Sequence, residues 1–319
     1  MGQRERDLLL RQYITGRRTL RSALVAWITN WFSAAQSFRD ADADRFVREI
    51  LPVAAGAQQS TASLSWAFQG RYLADLSGDP SAPPPIPTGQ VTGEALRGVD
   101  PKVVYRRPFT EIWSVLADRE QAKQDALRGL ETSAEEAGAP VSPEQRRAVE
   151  QKFADEKPLT TAIAAGERRA KLIGLTDLQL ADTHAAREIA RVDPRAAGWW
   201  GRQLTGDENC GLCIIAATQR YKHGSLLAIH PGCDCVPVKL ADEHPEHVLD
   251  QALLDAAHDA IAQRFGVSDP GARAIDYRKV LLIREHGELG PVLTVARHKF
   301  TGPNAVSASG ADTGIAVGP

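Results

Sequence analysis

All four cysteines of this chain fall between positions 210 and 235, in Cys210-Gly-Leu-Cys213 and then His230-Pro-Gly-Cys233-Asp-Cys235. Cys210 and Cys213 form a C-x-x-C pair, a spacing at which one tight turn aims two sulfurs at a single point. The second cluster adds two thiols and an imidazole within six residues. Zinc takes four nitrogen or sulfur ligands in a tetrahedron, and two short clusters separated by a loop are a usual way to supply them. The spacing therefore predicts a structural zinc knuckle drawn from Cys210, Cys213, His230, Cys233 and Cys235. With five candidates for four places, one of His230, Cys233 or Cys235 falls outside the coordination sphere. Two other arrangements remain open: a pair of disulfides, or a nucleophilic cysteine activated by His230. Disulfides are rare in reducing compartments, and no convincing export signal precedes the cluster.

Arg17, Arg18 and Arg21 precede an apolar stretch, Ala23 to Ile28, in the manner of a signal peptide. The run starts late, carries Thr29 and Asn30, and falls short of the roughly 20 residues that span a bilayer. Leu20, Leu24, Trp27 and Trp31 recur at three- and four-residue steps, the stripe of an amphipathic packing helix. A soluble chain that is not secreted is the expectation, with no membrane partner. The net charge of −2 over 319 residues argues against a wholly basic nucleic-acid coat.

The expected fold is mainly α with a small α+β C-terminal domain. Residues 1–76 read as an N-terminal helical region, with Asp40, Asp42 and Asp44 at the positive end of its second helix. Residues 77–94 hold a proline-rich run that reads as a stiff, extended linker and an early site of proteolysis. Residues 95–200 form a central helical region, with breaks expected at Glu131–Pro143, at Lys157-Pro158 and near Gly174, and a helix start at Thr176-Asp177. Its basic cluster, Arg168, Arg169 and Lys171, reads as a solvated helix face, since no aromatic residues interleave to stack bases.

Residues 201–300 carry the cysteines, a helix over 246–264, and two β-rich runs, Lys279–Ile283 and Val292–Val295, that read as a short β-hairpin. Residues 301–319 are rich in Gly, Ala, Ser and Thr and read as a disordered tail. Trp27, Trp31, Trp66 and Phe68 offer more apolar surface than a helical pair buries alone, so the N-terminal helices are expected to need a partner.

Four segments carry a family resemblance: Tyr105-Arg-Arg-Pro-Phe109, Leu175-Thr-Asp-Leu-Gln-Leu180, the cysteine region from Cys210 to Cys235, and Glu285-His-Gly-Glu-Leu-Gly-Pro291. Together they resemble the MuF-like head-morphogenesis proteins of actinobacterial tailed phages, labelled minor capsid protein or capsid maturation protease. The resemblance runs from about Arg21 to Phe300, and its Cys/His core is the specific part. That family often has arginine between its last two cysteine positions, where this chain has Asp234. The resemblance implies a low-copy protein of the virion interior, in the host cytoplasm during assembly. Its implied partners are the portal protein and major capsid or scaffold subunits, with packaged DNA a further candidate.

A peptidase needs residues as well as a label. No Gly-x-Ser-x-Gly elbow occurs, and the cysteines sit at spacings that suit a metal. His286 with Glu285 and Glu288 is the best alternative acid–base site, although Gly287, Gly290 and Pro291 around them favour a plain turn. A catalytic zinc would keep a coordination position open for water, and five protein ligands favour a closed site. A non-enzymatic head-morphogenesis protein is the leading expectation, and a maturation protease processing scaffold or capsid subunits is the alternative.

Overall fold

A computed structural model describes residues 3–35, 37–155, 158–205, 211–226, 235–240, 251–265, 281–286 and 290–295. In chain order these form α1 (Gln3–Ala34), α2 (Asp40–Ser77), α3 (Glu94–Arg97), α4 (Pro101–Glu136), α5 (Pro143–Asp155), α6 (Pro158–Val192), β1 (Trp199–Gln203), α7 (Gly211–Ala217), β2 (Tyr221–Lys222), β3 (Val236–Lys239), α8 (Gln251–Phe265), β4 (Leu281–His286) and β5 (Gly290–Val295). The protein is mainly helical with a small antiparallel sheet of order β2-β1-β3, as expected for its class. The C-terminal runs pair as a hairpin, Leu281 opposite Val295 and His286 opposite Gly290.

The helical layer is α1, α2, α4 and α6. The apolar stripe of α1 is centred one step from the expected one: Leu24, Ile28, Trp31 and Phe32 are buried, while Leu20 and Trp27 are half-buried. These residues meet Phe46 of α2 and Phe109 of α4 in an aromatic cluster. Trp31 lies edge-on to Phe46 at 4.8 Å between ring centroids and to Phe109 at 5.9 Å. Such pairs contribute about 0.5–1.5 kcal/mol each beyond the area they bury. Trp66 and Phe68 are buried as well. The chain thus covers most of the aromatic surface that was expected to need a partner.

Two expectations for α6 give way. The helix runs unbroken through Gly174, and Thr176 and Asp177 are buried within it rather than starting a new helix. Glycine at 174 serves packing: a Cβ there would stand 3.0 Å from Leu24 Cδ2 and 3.3 Å from Ile28 Cδ1. Gly166 is tighter still, since a Cβ would come within 2.7 Å of the Pro108 carbonyl oxygen on α4. The basic cluster also dissolves: Arg168 is exposed, Arg169 is buried, and Lys171 pairs with Glu167 at 2.6 Å.

Buried polar staples tie the helices to α6. Asp177 accepts from Arg97 Nε at 2.6 Å and from the Tyr105 hydroxyl at 2.5 Å, and Arg97 also donates to the Ile173 carbonyl at 3.0 Å. One and a half turns on, Asp182 accepts from the Tyr13 hydroxyl and pairs with Arg17 at 3.3 Å. Burial foremost, and then the neighbouring carboxylates, push both tyrosine pKa values well above the ordinary range.

The proline-rich segment is extended, as its composition predicts, but it is fastened along its length. Trp66 Nε1 donates to the Pro84 carbonyl at 2.9 Å, and Arg195 Nη1 donates to the carbonyls of Asp79 and Ser81 at 2.9 and 2.7 Å. Val91 and Leu96 then enter the core shared by α2, α6 and the sheet. Such a strap offers fewer solvated peptide groups to a protease than a free linker does.

Beyond this core, α4 and α5 form an arm. From Ala117 to Ala154 every residue is exposed or half-buried. Contacts between the two helices include Arg119, which donates to the Phe153 carbonyl and sits over the Phe153 ring, and Arg146, which pairs with Glu131 at 2.8 Å.

Candidate functional site

The cysteine region is built on the three-stranded sheet. β1 is its central strand, pairing Trp200 with Tyr221 of β2 on one edge and Gln203 with Val236 of β3 on the other. Sequence patterning does not announce these strands, because β3 is buried at all four positions and β2 is two residues long. A strand buried on both faces lacks the alternation that marks a half-exposed one.

Cys213 lies in the first turn of α7, and Cys235 immediately precedes β3; both side chains are buried. Although 22 positions apart in sequence, both belong to the core cluster that holds Tyr221, whose pKa burial raises against the opposing effect of Arg202. Tyr221 donates to the Ala216 carbonyl at 2.8 Å, which fixes β2 to the end of α7.

Arg202, buried in the middle of β1, reaches the same place. Its Nη1 stands 3.5 Å from Cys235 Sγ, and its guanidinium lies 5.2 Å from the centroid of the Tyr221 ring. A buried guanidinium beside a sulfur favours the thiolate, the form in which cysteine binds a metal. Donation to a ligand sulfur is also how neighbouring groups orient and tune metal sites. Two buried sulfurs, one of them beside a cation, are of the ligand type that a thiolate-rich zinc site uses. Zinc bound there by four of the five candidates would cross-link the sheet to the loops on either side.

Arg202 and Tyr221 are the site residues that sequence reasoning misses. The available signal is an arginine in the apolar run Trp199-Trp-Gly-Arg-Gln203, a charge that a buried strand tolerates only with partners.

Cys210, His230, Cys233 and Glu288 lie outside the described residues, and so does the side chain of His286, whose backbone closes β4 opposite Gly290. Among the described residues no three His, Cys, Asp or Glu side chains gather at metal-binding distance. The expected tail over 301–319 also lies outside the described residues, as does the Lys157-Pro158 junction at Lys157.

At the start of the central strand, Trp199 stacks with two cations, Arg220 at 4.2 Å and Lys222 Nζ at 3.9 Å from its ring centroid. Among the described residues no helix is long and apolar enough to cross a membrane. Comparison with protein-family models, with curated proteins and with solved structures finds no match for the chain.

Proposed function

We propose that this protein is a head-morphogenesis, minor capsid component of a tailed phage, acting inside the procapsid near the portal and carrying a structural zinc site. The observation that carries the reading is that Cys213 and Cys235 are both buried in the same core cluster, with Arg202 Nη1 3.5 Å from Cys235 Sγ. A zinc knuckle would draw ligands from both the upstream and the closing elements of the Cys/His motif, and one buried cysteine of each supports that reading. Zinc there would be held by four of Cys210, Cys213, His230, Cys233 and Cys235, and its role would be to cross-link the sheet to its loops. The helical layer would supply the surfaces that bind portal and capsid or scaffold subunits. A peptidase role would draw on His286 and Glu288, whose side chains lie outside the described residues.

Two measurements test the proposal. Elemental analysis of purified protein should give about one zinc per chain, the stoichiometry of a single tetrahedral site. Absence of metal together with four titratable thiols would remove the site. Co-expression with the portal, capsid and scaffold subunits of the same phage should yield a complex that co-sediments with the portal, with every subunit at full length. Failure to bind any of them would remove the head role. Shortened subunits in the mass spectrum would instead establish the protease reading.

A further inference from the structure

The α2–α4 face holds a groove of about 380 Å³ whose floor is Val47, Leu51 and Val103. Val103 is 54 % exposed, one of the few large apolar side chains left in solvent among the described residues. Arg48 and Lys102 stand on the rim, and neither has an ion-pair partner among the described residues. The remaining charges there are already matched, since Arg106 bridges Asp40 at 2.7 Å and also Asp44. The groove is thus apolar underneath with two cations to spare. A segment that fills it should be narrow, weakly apolar and acidic.

The arm ends in such a segment. Glu135, Glu136, Ala137, Gly138, Ala139 and Pro140 are all exposed, followed by half-buried Val141. Gly138, at φ 65°, turns the chain out of α4, so two carboxylates precede a compact run of small apolar residues. Neither glutamate has an ion-pair partner among the described residues. The tip cannot reach the groove of its own chain. Both lie on α4, Val103 in its first turn and Glu136 at its end, and 33 residues of helix put them about 50 Å apart.

We infer that the arm tip of one copy, Glu135–Val141, docks in the α2–α4 groove of a second copy, with Glu135 and Glu136 facing Arg48 and Lys102. The contact joins different surfaces of the two partners, so it is head-to-tail. Repeated, it builds a ring if the rotation closes and a chain if it does not. Docking also explains an otherwise costly design. α5 has 13 residues, close to the length at which an isolated helix is marginal in water, and a second contact at the tip would hold the arm in place. Because the charges sit at a solvent-exposed rim, the contact should weaken as salt screens them. The inference does not depend on the zinc site or on the phage reading.

The test is the mass of the full chain in solution, followed by light scattering over a concentration series at low and high salt. Association that rises with concentration and recedes with salt is the expected result. Reversing the groove, Arg48→Glu with Lys102→Glu, should weaken association at least about tenfold, which is about 1.4 kcal/mol. Reversing the tip, Glu135→Lys with Glu136→Lys, should do the same, and the chain carrying all four changes should regain association. Val103→Asp should abolish it without unfolding the protein, because that side chain is already in solvent. A wild type that stays monomeric up to its solubility limit would overturn the inference. So would association that survives either reversal, or a fourfold variant that stays dissociated while folded by circular dichroism.

Discussion

Replacing Asp177 by alanine should cost this protein about 3–5 kcal/mol, the usual range for breaking a buried ion pair by removing one partner. The structure shows why the loss sits at that level. The carboxylate and the Arg97 guanidinium are 2 and 3 % exposed, so neither can recover its interactions from water. Removing it takes the carboxylate from the buried Arg97 guanidinium and strands the Tyr105 hydroxyl. An unsatisfied hydroxyl alone costs about 1–3 kcal/mol.

Replacing the whole triad with Arg97→Met, Asp177→Leu and Tyr105→Phe should return stability to within about 1–2 kcal/mol of wild type, because no buried charge or hydroxyl is then left without its partner. Urea unfolding followed by far-ultraviolet circular dichroism reads both changes. Arg106→Ala is the control: its bridges to Asp40 and Asp44 are exposed, and such pairs contribute at most about 1 kcal/mol each. Hydrogen exchange should localise the Asp177→Ala effect to residues 88–100, the part of the strap that Arg97 anchors. An Asp177→Ala loss below that of the control, or a triple variant no better than the single one, would refute this account of the staple.

Gly166→Ala should destabilise by about 1–3 kcal/mol, the range for overpacking, because the new Cβ would press on the backbone carbonyl of Pro108 and the two helices must separate; a melt unchanged from wild type would show that α4 and α6 yield freely. His184 gives a pH dependence. Burial first, and then Arg187, lower its pKa from 6.5 to about 4, opposed by a hydrogen bond with the Gln90 backbone and by Glu188. The unfolded chain therefore binds this proton first, so folding stability falls as pH drops from 6.5 to about 4 and is flat in this term below that. The full window amounts to about 3 kcal/mol. His184→Gln should flatten the stability profile in that window, and an unchanged profile would exclude His184 as its source.

The helical half is legible in the sequence because its signals are long. The stripe of α1 spans several turns, and errors in reading it are of one step, from Trp27 to Ile28. Glycines mislead in this half. An isolated Gly174 in a helical pattern reads as a break, and only the approach of Leu24 and Ile28 reveals it as a contact. Asp177 misleads for a related reason. Preceded by threonine it resembles a helix start, while its partners Arg97 and Tyr105 are 80 and 72 positions away. The cysteine locus is legible as ligand chemistry but not as structure, since residues buried on both faces of a short sheet carry no period to read.

Arg202 makes the state of those cysteines testable. If Cys235 is a zinc-bound thiolate, the guanidinium 3.5 Å from its sulfur stabilises negative charge and orients the ligand. Arg202→Met keeps much of the buried volume and removes that donor, and the loss of such a supporting group typically weakens metal affinity about 10–100-fold. Chelator competition should therefore strip zinc from Arg202→Met at correspondingly lower chelator concentration, while excess zinc restores the wild-type melt. If Cys235 is instead a neutral thiol, the same substitution relieves a buried charge and leaves zinc content unaltered. Unchanged chelator resistance in a folded Arg202→Met protein would separate the arginine from the metal, leaving it as a structural partner of Tyr221.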